Sequence, residues 1–241
     1  VVIGENEPEH FWSLFAAQSL GAKTVSVYPD ATADELLYLC EDSQARFIFA
    51  QDQEQVDKAL AIAGKLPGLC GIAFWDDAGM WSYRHDLLHG FDKLCAAGRK
   101  EHERHPERFA QAVAAGHADE LALLTYTSGT TSKPKGVMVS HRWLVDNASR
   151  MLSALPLEPG MEYLSYTPLA WITEQLLGVT LGLMLPLVVN FPEGPDQVLP
   201  NIRELSPHMV LFGPRQWESI AAAIEARMLH ARRLPRALYR W

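Results

Sequence analysis

Between Tyr126 and Gly136 the chain reads Y-T-S-G-T-T-S-K-P-K-G, a stretch too poor in apolar groups to be there for packing. It offers hydroxyls at Thr127, Ser128, Thr130, Thr131 and Ser132, ammonium groups at Lys133 and Lys135, and backbone N–H groups freed around Gly129 and Gly136. That inventory suits a polyphosphate. Amides and hydroxyls donate to its oxygens, lysine offsets its charge, and a hydroxyl can ligate magnesium. The Walker-type loop is excluded, because no Gly-Lys-Ser or Gly-Lys-Thr follows the glycines at the required spacing.

Two apolar runs must hold this loop in place. Leu121 to Leu124 fits a buried strand entering the centre of a parallel sheet, and Val137 to Val139 follows on the other side. Ser140 stands where an N-cap would open a helix through Met151.

Upstream, short β-type runs alternate with helical stretches. Strands are expected at residues 1–3, 24–28, 47–49 and 71–74, with helices over 8–20, 33–41 (capped by Asp30 and Thr32) and 52–63. This alternation implies right-handed βαβ crossovers and an α/β fold with a mostly parallel sheet. Residues 76–118 break the pattern and read as a surface insertion of one or two charged helices. Within it, His85 and His89 stand at i,i+4 and His102 and His105 at i,i+3, spacings that can ligate a metal. No cysteine or well-spaced carboxylate pair lies beside them, so an exposed helix is the reading.

The 241 residues are 48% apolar, enough for a substantial core, and no run approaches a membrane-spanning length. The net charge of −8 arises entirely in residues 1–60, which gives no general affinity for nucleic acid. Cys40, Cys70 and Cys95 are odd in number and widely spaced, as reduced thiols of a cytosolic protein are. The opening Val1-Val2-Ile3-Gly4, already a strand and without a methionine, suggests a chain cut from a longer one. The C-terminal stretch carries Arg227, Arg232, Arg233, Arg236 and Arg240 among leucines. It could touch a membrane surface peripherally, or serve as a solvated helix face leading into a linker.

The loop resembles the signature of the adenylate-forming (AMP-binding) enzymes, Tyr-Thr-Ser-Gly-Thr-Thr-Gly-x-Pro-Lys-Gly. Tyr126 to Gly136 meets every specified position except Ser132, where the family has glycine. Two turns are similar to those of the long-chain acyl-CoA synthetase branch. Pro168-Leu169-Ala170-x-x-x-Glu174 matches Pro-Leu-Ala-His-x-x-Glu with Trp171 at the histidine position, and Pro214-Arg215-x-Trp217-Glu218 matches Pro-Arg-x-Trp-Glu.

The resemblance implies an acid–thiol ligase that uses ATP, Mg2+ and coenzyme A. A fatty acid would be adenylated with release of pyrophosphate, then passed to the thiol. Residues 127–136 would hold the β- and γ-phosphates, with Lys135 as the fixed charge and Thr127 as the hydroxyl on magnesium. Trp171 would stand at the mouth of the acyl pocket, acting by shape because an indole has no proton-accepting nitrogen. Glu174 would orient the loop through a charged hydrogen bond, or merely favour its helix N-terminus.

The family's adenine-binding Tyr-Gly-x-Thr-Glu turn, its ribose-binding Thr-Gly-Asp segment and its C-terminal lysine do not occur in these 241 residues. The resemblance therefore covers an incomplete N-terminal domain: a βαβ half over 1–75, the helical insertion over 76–118, and a phosphate-loop and acyl-pocket half over 119–241. On this resemblance, the family's C-terminal lid domain is expected to lie outside these 241 residues. Such a fragment alone should hold triphosphate weakly and catalyse nothing. The alternative is a non-catalytic nucleotide- or acyl-binding protein built on the same fold, for which Ser132 is the motif's one departure. Chain length of the acyl group and oligomeric state have no signature in the sequence.

Overall fold

A computed structural model describes residues 1–127 and 133–229. Five short strands, β1 (Val2–Ile3), β2 (Ser26–Val27), β3 (Phe47–Ala50), β4 (Gly71–Phe74) and β5 (Leu88–Gly90), form an all-parallel sheet in the order β2-β1-β3-β4-β5. Helices α1 (Pro8–Ser19), α2 (Ala33–Asp42) and α3 (Gln53–Ala63) make the crossovers. Local chemistry sets their starts. Thr32 and Glu35 form a reciprocal capping box at α2, and the Asp52 carboxylate accepts the Gln55 N–H at 3.0 Å at α3.

Side-chain alternation along the strands separates two cores. Ile3, Ile48, Ala50 and Ile72 pack under Leu36, Cys40, Val56 and Ile62 of α2 and α3. Val2 and Phe49 face the other way, against Phe11 and Leu14 of α1. The chain steps from β1 to β2 on one side and then crosses back to β3 on the other. This reversal puts α1 and the α2–α3 pair on opposite faces, and it leaves a crevice beyond the carboxyl ends of β1 and its neighbours.

The strand leading to the phosphate loop corrects one expectation. It is longer than Leu121 to Leu124 and does not enter the centre of the sheet. β6 (Leu121–Thr127) pairs antiparallel with β7 (Lys135–Ser140) as a hairpin. The hairpin meets the sheet at one parallel bridge, Thr24 to Leu123. There the Thr24 N–H donates to the Ala122 carbonyl at 3.0 Å and the Leu124 N–H to the Thr24 carbonyl at 2.9 Å. Since β6 runs parallel to the β2 segment, its carboxyl end lies on the same edge of the sheet as those of β1 and β2. α6 (His141–Ala154) follows, with the Ser140 hydroxyl accepting the Trp143 N–H at 3.2 Å.

The segment 76–118 is more than helical. It holds α4 (Phe91–Arg104) and α5 (Arg108–Ala115), but it also supplies β5, paired in parallel with β4. His89 lies in that strand, so it shares no helical face with His85. Among the described residues no three His, Cys, Asp or Glu side chains gather as a metal site.

After α6, β8 (Glu162–Leu164) pairs in parallel with β9 (Val188–Asn190). Between them α7 (Ile172–Glu174) runs on through π-type turns over Gln175–Leu181 into α8 (Gly182–Met184). α9 (Val198–Leu205) completes the compact unit, which spans Val1–His208.

A second unit begins at Met209. Met209 to Phe212 is apolar but forms no strand; α10 (Pro214–Leu229) follows, with the Phe212 and Trp217 rings edge-to-face at 5.1 Å. Arg232, Arg233, Arg236 and Arg240, on which the membrane expectation rests, lie outside the described residues. No described helix is long and apolar enough to cross a membrane.

Candidate functional site

The hairpin brings two candidate residues together directly. Thr127, the last residue of β6, is the cross-strand partner of Lys135, the first of β7. Directly opposed residues project their side chains to one face of an antiparallel pair. A hydroxyl and an ammonium, both exposed, therefore stand side by side where the strands part. Ser128, Gly129, Thr130, Thr131 and Ser132 lie outside the described residues.

Helix α2 grips both flanks of the loop. On the entering side the Tyr126 hydroxyl donates to Asp42 Oδ2 at 2.7 Å. Burial, followed by this bond to a carboxylate, pushes the Tyr126 hydroxyl well above the usual tyrosine range. On the leaving side the Tyr38 hydroxyl donates to the Pro134 carbonyl at 2.7 Å, and the Lys133 ammonium lies 4.8 Å from the Tyr38 ring centroid. Gly136 packs closely here: a Cβ there would come within 3.2 Å of the Tyr126 ring, which would have to give by a few tenths of an ångström. These α2 residues lie 84 and 96 positions from their partners, so no local pattern announces them.

The second turn is tied to the first. The Thr125 hydroxyl of β6 donates to the Ala170 carbonyl at 2.8 Å, which holds Pro168–Leu169–Ala170 beside the hairpin. Next to that turn is a cleft of about 270 Å³. It is lined by Gly4 to Asn6 after β1, Val27 to Asp30 at the end of β2, and Pro168 to Ala170. This is the carboxyl-edge crevice that the topology creates. Trp171 is 45% exposed at the N-cap of α7, and its indole N–H donates to the hydroxyl of Tyr28, a lining residue. The one polar atom of its side chain is thereby engaged as a donor.

Glu174 stands in the first turn of α7, the simpler of the two places expected of it. It is fully buried, and among the described residues its carboxylate takes hydroxyls from Tyr163 (2.7 Å), Ser165 (2.6 Å) and Thr167 rather than orienting the phosphate loop. Tyr163, Ser165 and Thr167 alternate along one extended segment, so they face the same way. Burial raises the pKa of Glu174, and the three hydroxyls partly oppose that rise. With no exposure, the Glu174 carboxyl faces no open cleft among the described residues; it staples residues 163–167 to the helix. Asn6 joins this cluster from the loop after β1, donating to Ser165 Oγ at 2.9 Å and to the Thr167 carbonyl at 2.8 Å.

Thr127 is a fit for magnesium only in a limited sense. No carboxylate cluster accompanies it among the described residues, so it could supply one oxygen to an ion whose other ligands are phosphates and water.

The family profile described as AMP-binding enzyme matches residues 1–239. The chain belongs to that family. It is 28% identical over 232 residues to the Bos taurus long-chain-fatty-acid–CoA ligase ACSBG1, covering 93% of this chain and 31% of the relative. To the Mycobacterium bovis long-chain-fatty-acid–CoA ligase FadD15 it is 25% identical, covering 91% of this chain and 35% of the relative. The chain thus spans about a third of the length of these relatives. Among solved structures it shares its fold with ATP-bound MatB from Rhodopseudomonas palustris. The TM-score is 0.59 at 21% identity, over 84% of this chain and 37% of that one. It also shares it with a luciferase-like enzyme of the mealworm Zophobas morio, with a TM-score of 0.61 at 19% identity, over 86% of this chain and 45% of that one.

Proposed function

We propose that this chain is the phosphate-loop region of an ATP-dependent long-chain fatty-acid–CoA ligase, one that forms an acyl-adenylate and then an acyl-CoA thioester. The observation that carries this reading is the pairing of Thr127 with Lys135 at the open end of the β6–β7 hairpin. The pairing sits on the same sheet edge as the cleft beside Trp171, with Thr125 joining the two.

The first step brings a carboxylate to the α-phosphorus of a tetra-anion, so alignment and charge neutralisation are what the protein must supply. Lys135 provides a fixed positive charge against the β- and γ-phosphates, and the loop amides and hydroxyls donate to their oxygens. The Thr127 hydroxyl, aligned beside Lys135, would be the protein oxygen on a magnesium ion. A bound magnesium ion would offset further phosphate charge. The fatty acid approaches from the Trp171 side, where the indole and the Pro168–Ala170 turn shape its path. Coenzyme A as the acceptor rests on the relatives, each named a fatty-acid–CoA ligase.

The direct product test is acyl-CoA formation by the full-length gene product, with a panel of fatty acids from short to long. Thioester formation with the long acids supports the reading, and its absence with every acid refutes it.

A further inference from the structure

The phosphate loop has little apolar surface of its own, yet its function requires its donors to point one way. Its flanks are held from outside the hairpin, by a single helix. Tyr38 and Asp42 are four residues apart on α2 and therefore share one face of it. Asp42 takes the Tyr126 hydroxyl just before the loop, and Tyr38 donates to the Pro134 carbonyl just after it. The Tyr38 ring also lies under the Lys133 ammonium, a placement that draws a cation toward the face of an aromatic ring.

We propose that Tyr38 and Asp42 are positioning residues that clamp the two ends of the phosphate loop and set where Lys133 and Lys135 stand relative to a bound triphosphate. The proposal rests on the reading of residues 127–136 as a nucleotide-phosphate loop. Neither residue reaches the reacting atoms. Each acts by fixing the distance between the last residue of the entering strand and the first residues of the leaving one. The clamp is also composite. Tyr38 contributes a hydroxyl to the backbone and a ring to the lysine, whereas Asp42, among the described residues, acts through Tyr126.

The helix that carries the clamp is rigid for reasons independent of the loop. Its capping box closes one end, and Leu36, Leu39 and Cys40 bury its opposite face in the core. Asp42 and the flanks it helps to hold are near the surface, so substitutions there alter the grip without emptying the core.

The test uses the full-length gene product with Tyr38→Leu, Tyr38→Phe, Asp42→Ala and Asp42→Asn. ATP dependence of carboxylate-driven ATP–pyrophosphate exchange and amide hydrogen exchange over residues 126–136 are both followed. Loss of one hydrogen bond should raise KM for ATP about three- to tenfold in Asp42→Ala. KM should move more than kcat, with no matching change in KM for the fatty acid, and amide exchange over 126–136 should quicken. Asp42→Asn, which can still accept the Tyr126 hydroxyl, should restore most of the affinity. Tyr38→Phe, which keeps the ring under Lys133, should fall between wild type and Tyr38→Leu.

Unchanged KM for ATP together with unchanged amide exchange in Tyr38→Leu and Asp42→Ala overturns the clamp. If the wild type itself shows no ATP–pyrophosphate exchange, the ligase reading fails separately and amide exchange alone decides. Faster exchange confined to the loop flanks then upholds the clamp, and its absence removes it.

Discussion

The Tyr163 hydroxyl donates to Glu174 Oε2 at 2.7 Å across eleven residues, inside a region where Glu174 has no exposed surface. A lone ionised carboxylate at such depth would be costly, and three converging hydroxyls make it tolerable. The helix adapts to the same group. A Cβ on Gly178 would lie 2.2 Å from Glu174 Oε1, so only glycine allows the carboxylate to fold back over the next turn.

Removing the acceptor is therefore expected to matter for folding. Glu174→Ala leaves three buried hydroxyls without their partner and should destabilise the protein by about 3–5 kcal/mol. Tyr163→Phe removes a single bond and should cost about 1–2 kcal/mol. Gly178→Ala should cost about 1–3 kcal/mol through crowding. Urea denaturation of the four proteins gives the ranking. Equal stability of Glu174→Ala and wild type would show the cluster to be inert.

His10 supplies a pH dependence. It is fully buried, with Nδ1 3.1 Å from the Glu5 carbonyl and Nε2 3.1 Å from Ser26 Oγ. The carbonyl can only accept, so Nδ1 carries the proton and Ser26 donates to Nε2. Burial lowers the His10 pKa from 6.5 to about 4. The unfolded chain then binds a proton between those values that the native state refuses, so stability falls as pH drops from about 6.5 toward 4. The loss attributable to this group is of the order of 3 kcal/mol. His10→Gln should flatten the melting-temperature profile over that window, whereas an unaltered slope would place the titration elsewhere.

Trp171 and Tyr28 should behave as a coupled pair, since the indole donates to the phenol across 143 residues. In a double-mutant cycle, Trp171→Phe and Tyr28→Phe should show a coupling of about 0.5–1.5 kcal/mol in stability. On the functional reading, Trp171→Ala should alter the preference among fatty acids while leaving the affinity for ATP in place. A change in ATP affinity alone would contradict the placement of Trp171 on the acyl side.

What the sequence made legible was local. Thr32 and Ser140 each announce a helix start and make the cap expected of them, whereas Asp30 stands outside the α2 cap and Asp52, expected as the first residue of its helix, is the N-cap. The βαβ alternation of residues 1–75 likewise reads directly as a parallel sheet. The hairpin was hidden because Val137 to Val139 carries no sign of whether its partner is parallel or antiparallel. β5 was hidden because Leu88–Gly90 is three residues long and centred on a histidine. Met209 to Phe212 shows the reverse case, an apolar run that forms no strand.

At the site, the loop and the Pro168–Glu174 turn could be found by motif, and their joining through Thr125 could not. Glu174 was readable in principle. Hydroxyls at 163, 165 and 167 mark one face of an extended segment, and a carboxylate seven residues beyond the last of them can turn back to meet that face. Tyr38 and Asp42 had no such signal, because a tyrosine and an aspartate on a surface helix are ordinary until a distant loop is packed against them.

The central claim is that Thr127 and Lys135, opposed at the mouth of the hairpin, hold the triphosphate during adenylation. Its most direct test is fatty-acid-dependent ATP–pyrophosphate exchange by the full-length gene product and its Lys135→Ala and Thr127→Ala variants. The account predicts exchange in the wild type, a loss of about 10²–10³-fold in Lys135→Ala and about tenfold in Thr127→Ala, with folding intact. Wild-type exchange that survives Lys135→Ala undiminished, or no exchange with any fatty acid from a folded protein, would contradict it.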